Sequence, residues 1–174
     1  ASFNGAMTID AQVTEIPVIT GSMSRKDALA RAAKLYSDLE LPEPDLIGSR
    51  YPHQVSGGQL QRLMAAMAMI SDPRWLILDE PTTALDVTTQ IEVLGSFKKL
   101  IKDNGTAAIY VTHDLSLVAQ VADHILVLKN GQMVEYGPTE KIISDPQHEY
   151  TKALMAAAHV MPDEIHAPPA NTSV

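Results

Sequence analysis

The sequence predicts an α/β fold, and three observations carry that reading. Trp75–Leu78 and Thr106–Val111 are short apolar runs of strand length that end in polar residues, as buried parallel strands do. A helical pattern from about Asp86 to Asp103 lies between them, giving strand, helix, strand. His124–Leu128 and Gln132–Tyr136 then flank Asn130-Gly131, a strong hairpin signal.

The other elements follow in chain order. Residues 1–23 have no clean period, although Ile9, Val13, Ile16, Val18 and Ile19 could anchor a loop or a short helix. Gly21-Ser22 reads as a linker. A helix begins at Ser24, where Ser24 and Asp27 resemble a capping box, and Ala28, Ala32, Leu35 and Leu39 recur at helical spacing. Pro42 and Pro44 forbid its continuation. A second helix follows Ser56-Gly57-Gly58, with Leu60, Leu63, Met64 and Met67 inward, and stops near Ser71-Asp72-Pro73. Its methionines are read as core packing. In the helix from Asp86, Ile91, Leu94 and Leu100 point inward, and Asn104-Gly105 ends it. Leu115, Val118 and Val121 mark a short helix. A terminal helix spans roughly Gln147–His159, before a Pro-rich, polar tail that is expected to be disordered.

Composition excludes several functions. The chain has 174 residues, enough for about one domain with a real core. Lys+Arg minus Asp+Glu is 13 − 21 = −8. Such an acidic chain is poorly suited to nucleic acid, whose phosphates demand clustered Lys and Arg. The basic pairs Arg25-Lys26 and Lys98-Lys99 read as solvated helix faces. There is no cysteine, hence no disulfide and no thiolate metal site. The longest apolar run, Leu63–Ile70, is far short of the roughly 20 residues of a membrane span. The chain is expected to be soluble or peripheral to a membrane.

Chemistry concentrates where elements end. Leu76-Ile77-Leu78 drives a strand through the core, and Asp79-Glu80 emerge at its C-terminal end. Open α/β sheets place their ligands there. An Asp in that position can hold Mg²⁺ beside nucleotide phosphates, and a second acid can orient and deprotonate a water. A strand that merely ends in surface acids is the plainer reading of this pair alone. Pro81 stops the strand, and Asp86 can cap the next helix. The following strand ends in Thr112-His113-Asp114, so a parallel neighbour would set His113 at the edge where Glu80 stands. There an imidazole could contact a γ-phosphate or fix the water. Upstream, Ser56-Gly57-Gly58-Gln59 opens a helix. Ser56 can cap, the glycines let a ligand approach, and the helix N-terminus favours anions.

Together these residues resemble the ATP-binding cassette (ABC) ATPases. Val55-Ser56-Gly57-Gly58-Gln59-Leu60-Gln61-Arg62 is similar to the family's signature loop, with Val55 where Leu is commonest. Leu76–Glu80 resembles its Walker B strand, Ala84-Leu85-Asp86 its D-loop, and His113 its switch histidine. Order and spacing agree from about residue 50 to 137. Tyr51-Pro52-His53-Gln54, the stretch from Glu80 to Gln90, and Asp145–Thr151 resemble the oligopeptide, dipeptide and nickel importer branch. Ser2-Phe3-Asn4 resembles the stretch after that branch's Q-loop, with Gly5 where proline is usual. Many members of the branch carry a C-terminal cysteine cluster; this chain has none, so no metal cluster is expected.

The resemblance implies a P-loop NTPase-like fold held only in part. Its divisions would be a remnant after the Q-loop (1–23), a helical signature subdomain (24–70), the later part of the ATPase core (71–146), and a terminal helix with a tail (147–174). No G-x-x-x-x-G-K-[ST] occurs in the sequence. The Q-loop glutamine is missing too, because Gln12 lies too far along. The chain, opening on Ala1, is therefore expected to be a C-terminal fragment, inactive alone, holding no nucleotide tightly, and self-associating through an exposed sheet edge. A strictly monomeric species by light scattering would count against self-association.

In the intact parent the resemblance implies ATP and Mg²⁺ as cofactors. Glu80 and His113 would be catalytic and Asp79 the metal ligand. Ser56, Gly57, Gly58, Gln59 and Asp86 would be nucleotide-binding, the signature residues acting on ATP held by a second ATPase subunit in a head-to-tail dimer. Membrane permease subunits would be direct partners, and a periplasmic or extracellular substrate-binding protein an indirect one. The expected place is the cytoplasmic face of the inner membrane, in a bacterium. Peptide is the first expected cargo and nickel the second. A non-transport ABC ATPase and a non-enzymatic half-cassette are the alternatives.

Overall fold

The computed structural model describes residues 3–83 and 85–158. The chain forms two compact units, Ala1–Ile109 and Tyr110–Val174. The expected disordered tail lies outside the described residues.

The first unit opens with two short helices, α1 (Ile9–Val13) and α2 (Glu15–Ile19), in the stretch that gave no clean period. Ile9 and Val13 are buried and Val18 is half-buried, but Ile16 and Ile19 are exposed. Gln12 organises the turn before α1. It accepts the Asn4 N–H at 2.6 Å and donates to the carbonyls of Asn4 and Met7. Helix α3 (Arg25–Asp38) starts where the sequence predicted. The Ser24 hydroxyl oxygen accepts the Asp27 N–H at 3.1 Å and donates its own proton to the Asp27 carboxylate at 2.6 Å. Ala28, Ala32, Leu35 and Leu39 are all fully buried, as the periodicity required. Asp10 on α1 accepts the Tyr36 hydroxyl at 2.9 Å and occupies the space where Gly48 lacks a side chain. Burial pushes the Asp10 carboxyl up from its usual range, and it pushes the Tyr36 hydroxyl up as well.

Two 3-10 turns, Ile47–Ser49 and Pro52–Gln54, lead into α4 (Gly57–Met69). Leu63 is buried as expected, but Leu60, Met64 and Met67 are only half-buried. Small residues, Ala65 and Ala66, take the inward places instead, together with Met69 and Ile70. They let α1, α3 and α5 pack close to α4. Strand β1 (Trp75–Asp79) is followed by α5 (Val87–Asp103) and β2 (Ala107–Val111). The Ala107 N–H donates to the Arg74 carbonyl at 3.0 Å, so β1 and β2 start side by side and run parallel. On α5, Leu94 and Leu100 are buried, but Ile91 is 49% exposed, against its expected inward position.

The largest departure concerns these strands. Fully buried strands were expected, yet β1 alternates, with Leu76 and Leu78 buried while Trp75 is 62% and Ile77 53% exposed. Ile109 on β2 is likewise open. The apolar runs are those of a sheet covered on both faces; among the described residues only one face is covered.

In the second unit, α6 (Leu115–Val121) precedes the hairpin of β3 (His124–Lys129) and β4 (Gln132–Pro138). The strands pair antiparallel from His124↔Pro138 to Lys129↔Gln132, with a bulge after Val127. Asn130 and Gly131 both have positive φ, 51° and 77°, as a two-residue turn of the predicted kind needs. Ile125 and Val127 pack inward on Ala119, Ile142 and Ile143. Helix α7 (Thr139–Ser144) was not predicted. The expected terminal helix starts later, as α8 (Glu149–Ala158). Glu135 fixes the turn before it by accepting the N–H groups of Gln147 (2.8 Å) and His148 (3.1 Å). Those bonds, the Gln147 amide first, hold its carboxyl below the usual range.

Candidate functional site

Two helix N-termini and one strand end carry the predicted site residues of the first unit. At α4, Ser56 is extended (φ −72°, ψ 164°) and caps the helix. Its hydroxyl oxygen accepts the Gln59 N–H at 3.3 Å, and the Gln59 side-chain oxygen accepts the Ser56 N–H at 2.9 Å. This box satisfies two donors. The N–H groups of Gly57 and Gly58 stand in the first turn, where a helix offers them no backbone partner and its dipole favours an anion. Ser56 and Gly57 are exposed.

At α5, Asp86 is the cap, accepting the Thr89 N–H at 3.0 Å and the Thr89 hydroxyl at 2.7 Å. The Thr89 hydroxyl first, and its amide second, hold the Asp86 carboxyl below the usual range. The two helix ends touch. A Cβ on Gly58 would stand 2.6 Å from the Thr89 Cγ2 methyl, and one on Gly57 would stand 3.2 Å from Leu85 Cδ2. Gly58 is therefore required by helix packing, a reason that the sequence did not give. Further along, Arg62 on α4 donates to the Glu40 carbonyl and to the Glu92 carboxylate on α5, both at 3.3 Å.

At the end of β1, Asp79 is exposed and Glu80 is half-buried. Glu80 has φ +48°, a left-handed conformation that is strained for a residue with a side chain. Its backbone carbonyl accepts the Thr83 N–H at 3.3 Å, and its carboxylate accepts the Thr83 hydroxyl at 2.6 Å. The strand thus turns sharply and aims an anchored carboxylate. Of the predicted D-loop residues, Ala84 lies outside the described residues. His113 belongs to the second unit, where it is exposed between β2 and α6. Thr83, Thr89, Arg62 and Glu92 were missed as site-supporting residues. For Thr83 and Thr89 a signal existed: each lies three residues after a carboxylate at an element boundary, the spacing of a side-chain cap.

Asp79 fits a Mg²⁺ ligand by its chemistry and exposure. No cluster of three His, Cys, Asp or Glu exists among the described residues, so phosphate and water would complete such a metal's shell. The α4 N-terminus, where Ser56 and Gly57 are exposed, has the chemistry to take a terminal phosphate.

Comparison with known proteins points to the same family. Residues 3–83 match the family model described as ABC transporter. The glutathione import ATP-binding proteins GsiA of Escherichia coli K12 and Shigella sonnei are each 45% identical over 156 residues. The chain is similar to the ABC ATPases in sequence and in fold. That alignment covers 90% of this chain and 25% of each relative, so the chain spans about a quarter of the length of the curated relatives it matches. Two solved structures agree with the fold, each with TM-score 0.65 and 30% identity. One is the dimeric post-hydrolysis state of the cassette MJ0796 bound to ADP and Pi, the other a dimeric MJ0796 described as a bacterial ABC transporter cassette. Each alignment covers 79% of this chain and 59% of the other. The partial α/β, P-loop NTPase-like fold predicted from the sequence is thereby found. No helix among the described residues is long and apolar enough to cross a membrane.

Proposed function

We propose that this chain is the signature and Walker B part of the ATP-binding subunit of a bacterial importer of peptides. The relatives named for glutathione import support an importer, and glutathione is itself a small peptide. Nickel is the less favoured cargo. The subunit would work at the cytoplasmic face of the inner membrane with permease subunits, and the substrate-binding protein would choose the cargo.

The observation that carries this reading is the glycine-opened first turn of α4, with Ser56 and Gly57 exposed. Its N–H groups suit a terminal phosphate presented by another subunit. A second subunit in a head-to-tail dimer is supported by the dimeric neighbours. Mg²⁺ held by Asp79 would neutralise phosphate charge when bound. Glu80 would take the proton from the attacking water, its carboxylate aimed by Thr83 and by the left-handed turn. His113 would hold the γ-phosphate or the water in place. Asp86 would keep its charge at the α5 end, beside the phosphate site.

The 174 residues include no Walker A loop, and so neither its lysine nor its N–H cradle for β- and γ-phosphates. Alone they should neither bind ATP tightly nor hydrolyse it. In the full-length subunit, reconstituted with its permeases, Glu80→Gln should abolish ATP turnover and leave ATP binding intact. Turnover at the unsubstituted rate would contradict the reading.

A further inference from the structure

We propose that Thr89 is a positioning residue that holds the Ser56–Gln59 turn at a fixed spacing from Asp86. The inference rests on the reading of both helix ends as parts of one nucleotide sandwich. One side chain serves both ends through opposite sides. Its hydroxyl donates to Asp86 Oδ2 at 2.7 Å, beside its N–H bond to Oδ1 at 3.0 Å. Its methyl occupies the space against Gly58, 2.6 Å from where a Cβ would stand. Both groups leave the same Cβ, and a β-branched side chain has restricted χ1. Seating the hydroxyl on Asp86 therefore fixes where the methyl meets α4. Serine lacks the methyl and valine lacks the hydroxyl, so neither can make both contacts.

A second contact joins the same two helices. Arg62 follows Gly58 by four residues and Glu92 follows Thr89 by three, so their bridge lies about one turn further along both helices. Two contacts a turn apart fix the angle between the helices as well as their distance. The signature turn and Asp86 then move as one body.

Hydrogen exchange in the 174-residue chain, with no nucleotide, tests the contact. Thr89→Ser should speed exchange in the first turn of α4 several-fold and leave the α5 cap protected. Thr89→Val should speed exchange in the first turn of α5. Gly58→Ala should lower the melting temperature, and adding Thr89→Ser should recover most of that loss by removing the clashing methyl. If the two substitutions only add, or if exchange at α4 ignores Thr89→Ser, the contact is not what holds the turn. In the full-length ATPase, Thr89→Ser and Thr89→Val should lower kcat several-fold with the KM for ATP unchanged. Normal turnover in both, beside an inactive Ser56→Asp, overturns this inference alone. Normal turnover in Ser56→Asp overturns the reading it rests on.

Discussion

The N-termini of α4 and α5 lie in contact and are both capped, yet they are electrostatic opposites. Each carries the positive end of a helix dipole, about half an elementary charge. At α5 that charge is already met by the Asp86 carboxylate, which Thr89 holds in its charged form. At α4 the cap is a neutral serine–glutamine box, and the first turn is glycine. An arriving phosphate would find the dipole of one end already compensated and that of the other open. The difference teaches which of two adjacent helix ends can serve as an anion site, and it rests on which side chain caps each end.

The widest way to break the comparison is to loosen the packing behind both ends. Leu63 on α4 is fully buried, so Leu63→Ala should cost about 3 kcal/mol in a denaturant melt. Both first turns should lose protection together. A smaller change sharpens the contrast. Ser56→Ala should cost about 1 kcal/mol, and the loss should be the same at every pH, because the Ser56–Gln59 box does not titrate. Asp86→Ala should also destabilise, but with a pH signature. The folded carboxyl sits below its unfolded pKa, so its contribution is full above the ordinary carboxylate range. It is lost as pH falls through the folded value. Paired melts of the two variants across acid pH should converge on the native protein for Asp86→Ala and stay offset for Ser56→Ala.

Much of this contrast was legible in the sequence. The caps at Ser24, Ser56 and Asp86, the inward line of α3 and the Asn130-Gly131 turn are local features, set by residues within a turn of one another. The features that were not legible are tertiary. Leu60, Met64 and Met67 satisfy a helical period, yet helix–helix contact chose Ala65 and Ala66 for the inner face of α4. Trp75 and Ile77 are as apolar as any core strand, and nothing in their own pattern says which face will be covered. Gly58 was read for the ligand that it admits, whereas the Thr89 methyl also requires it. No spacing rule links residues 58 and 89. Glu80 was recognised by its acid, but its left-handed backbone could not be, since a proline after a strand permits several turns.

The most direct measurement gives α4 the cap that α5 has. Ser56→Asp in the full-length subunit keeps an N-cap acceptor and places a carboxylate where the phosphate should come. ATP turnover should fall to background while the melting temperature holds or rises slightly. Turnover at the unsubstituted rate with that carboxylate in place would contradict a phosphate site at the α4 N-terminus.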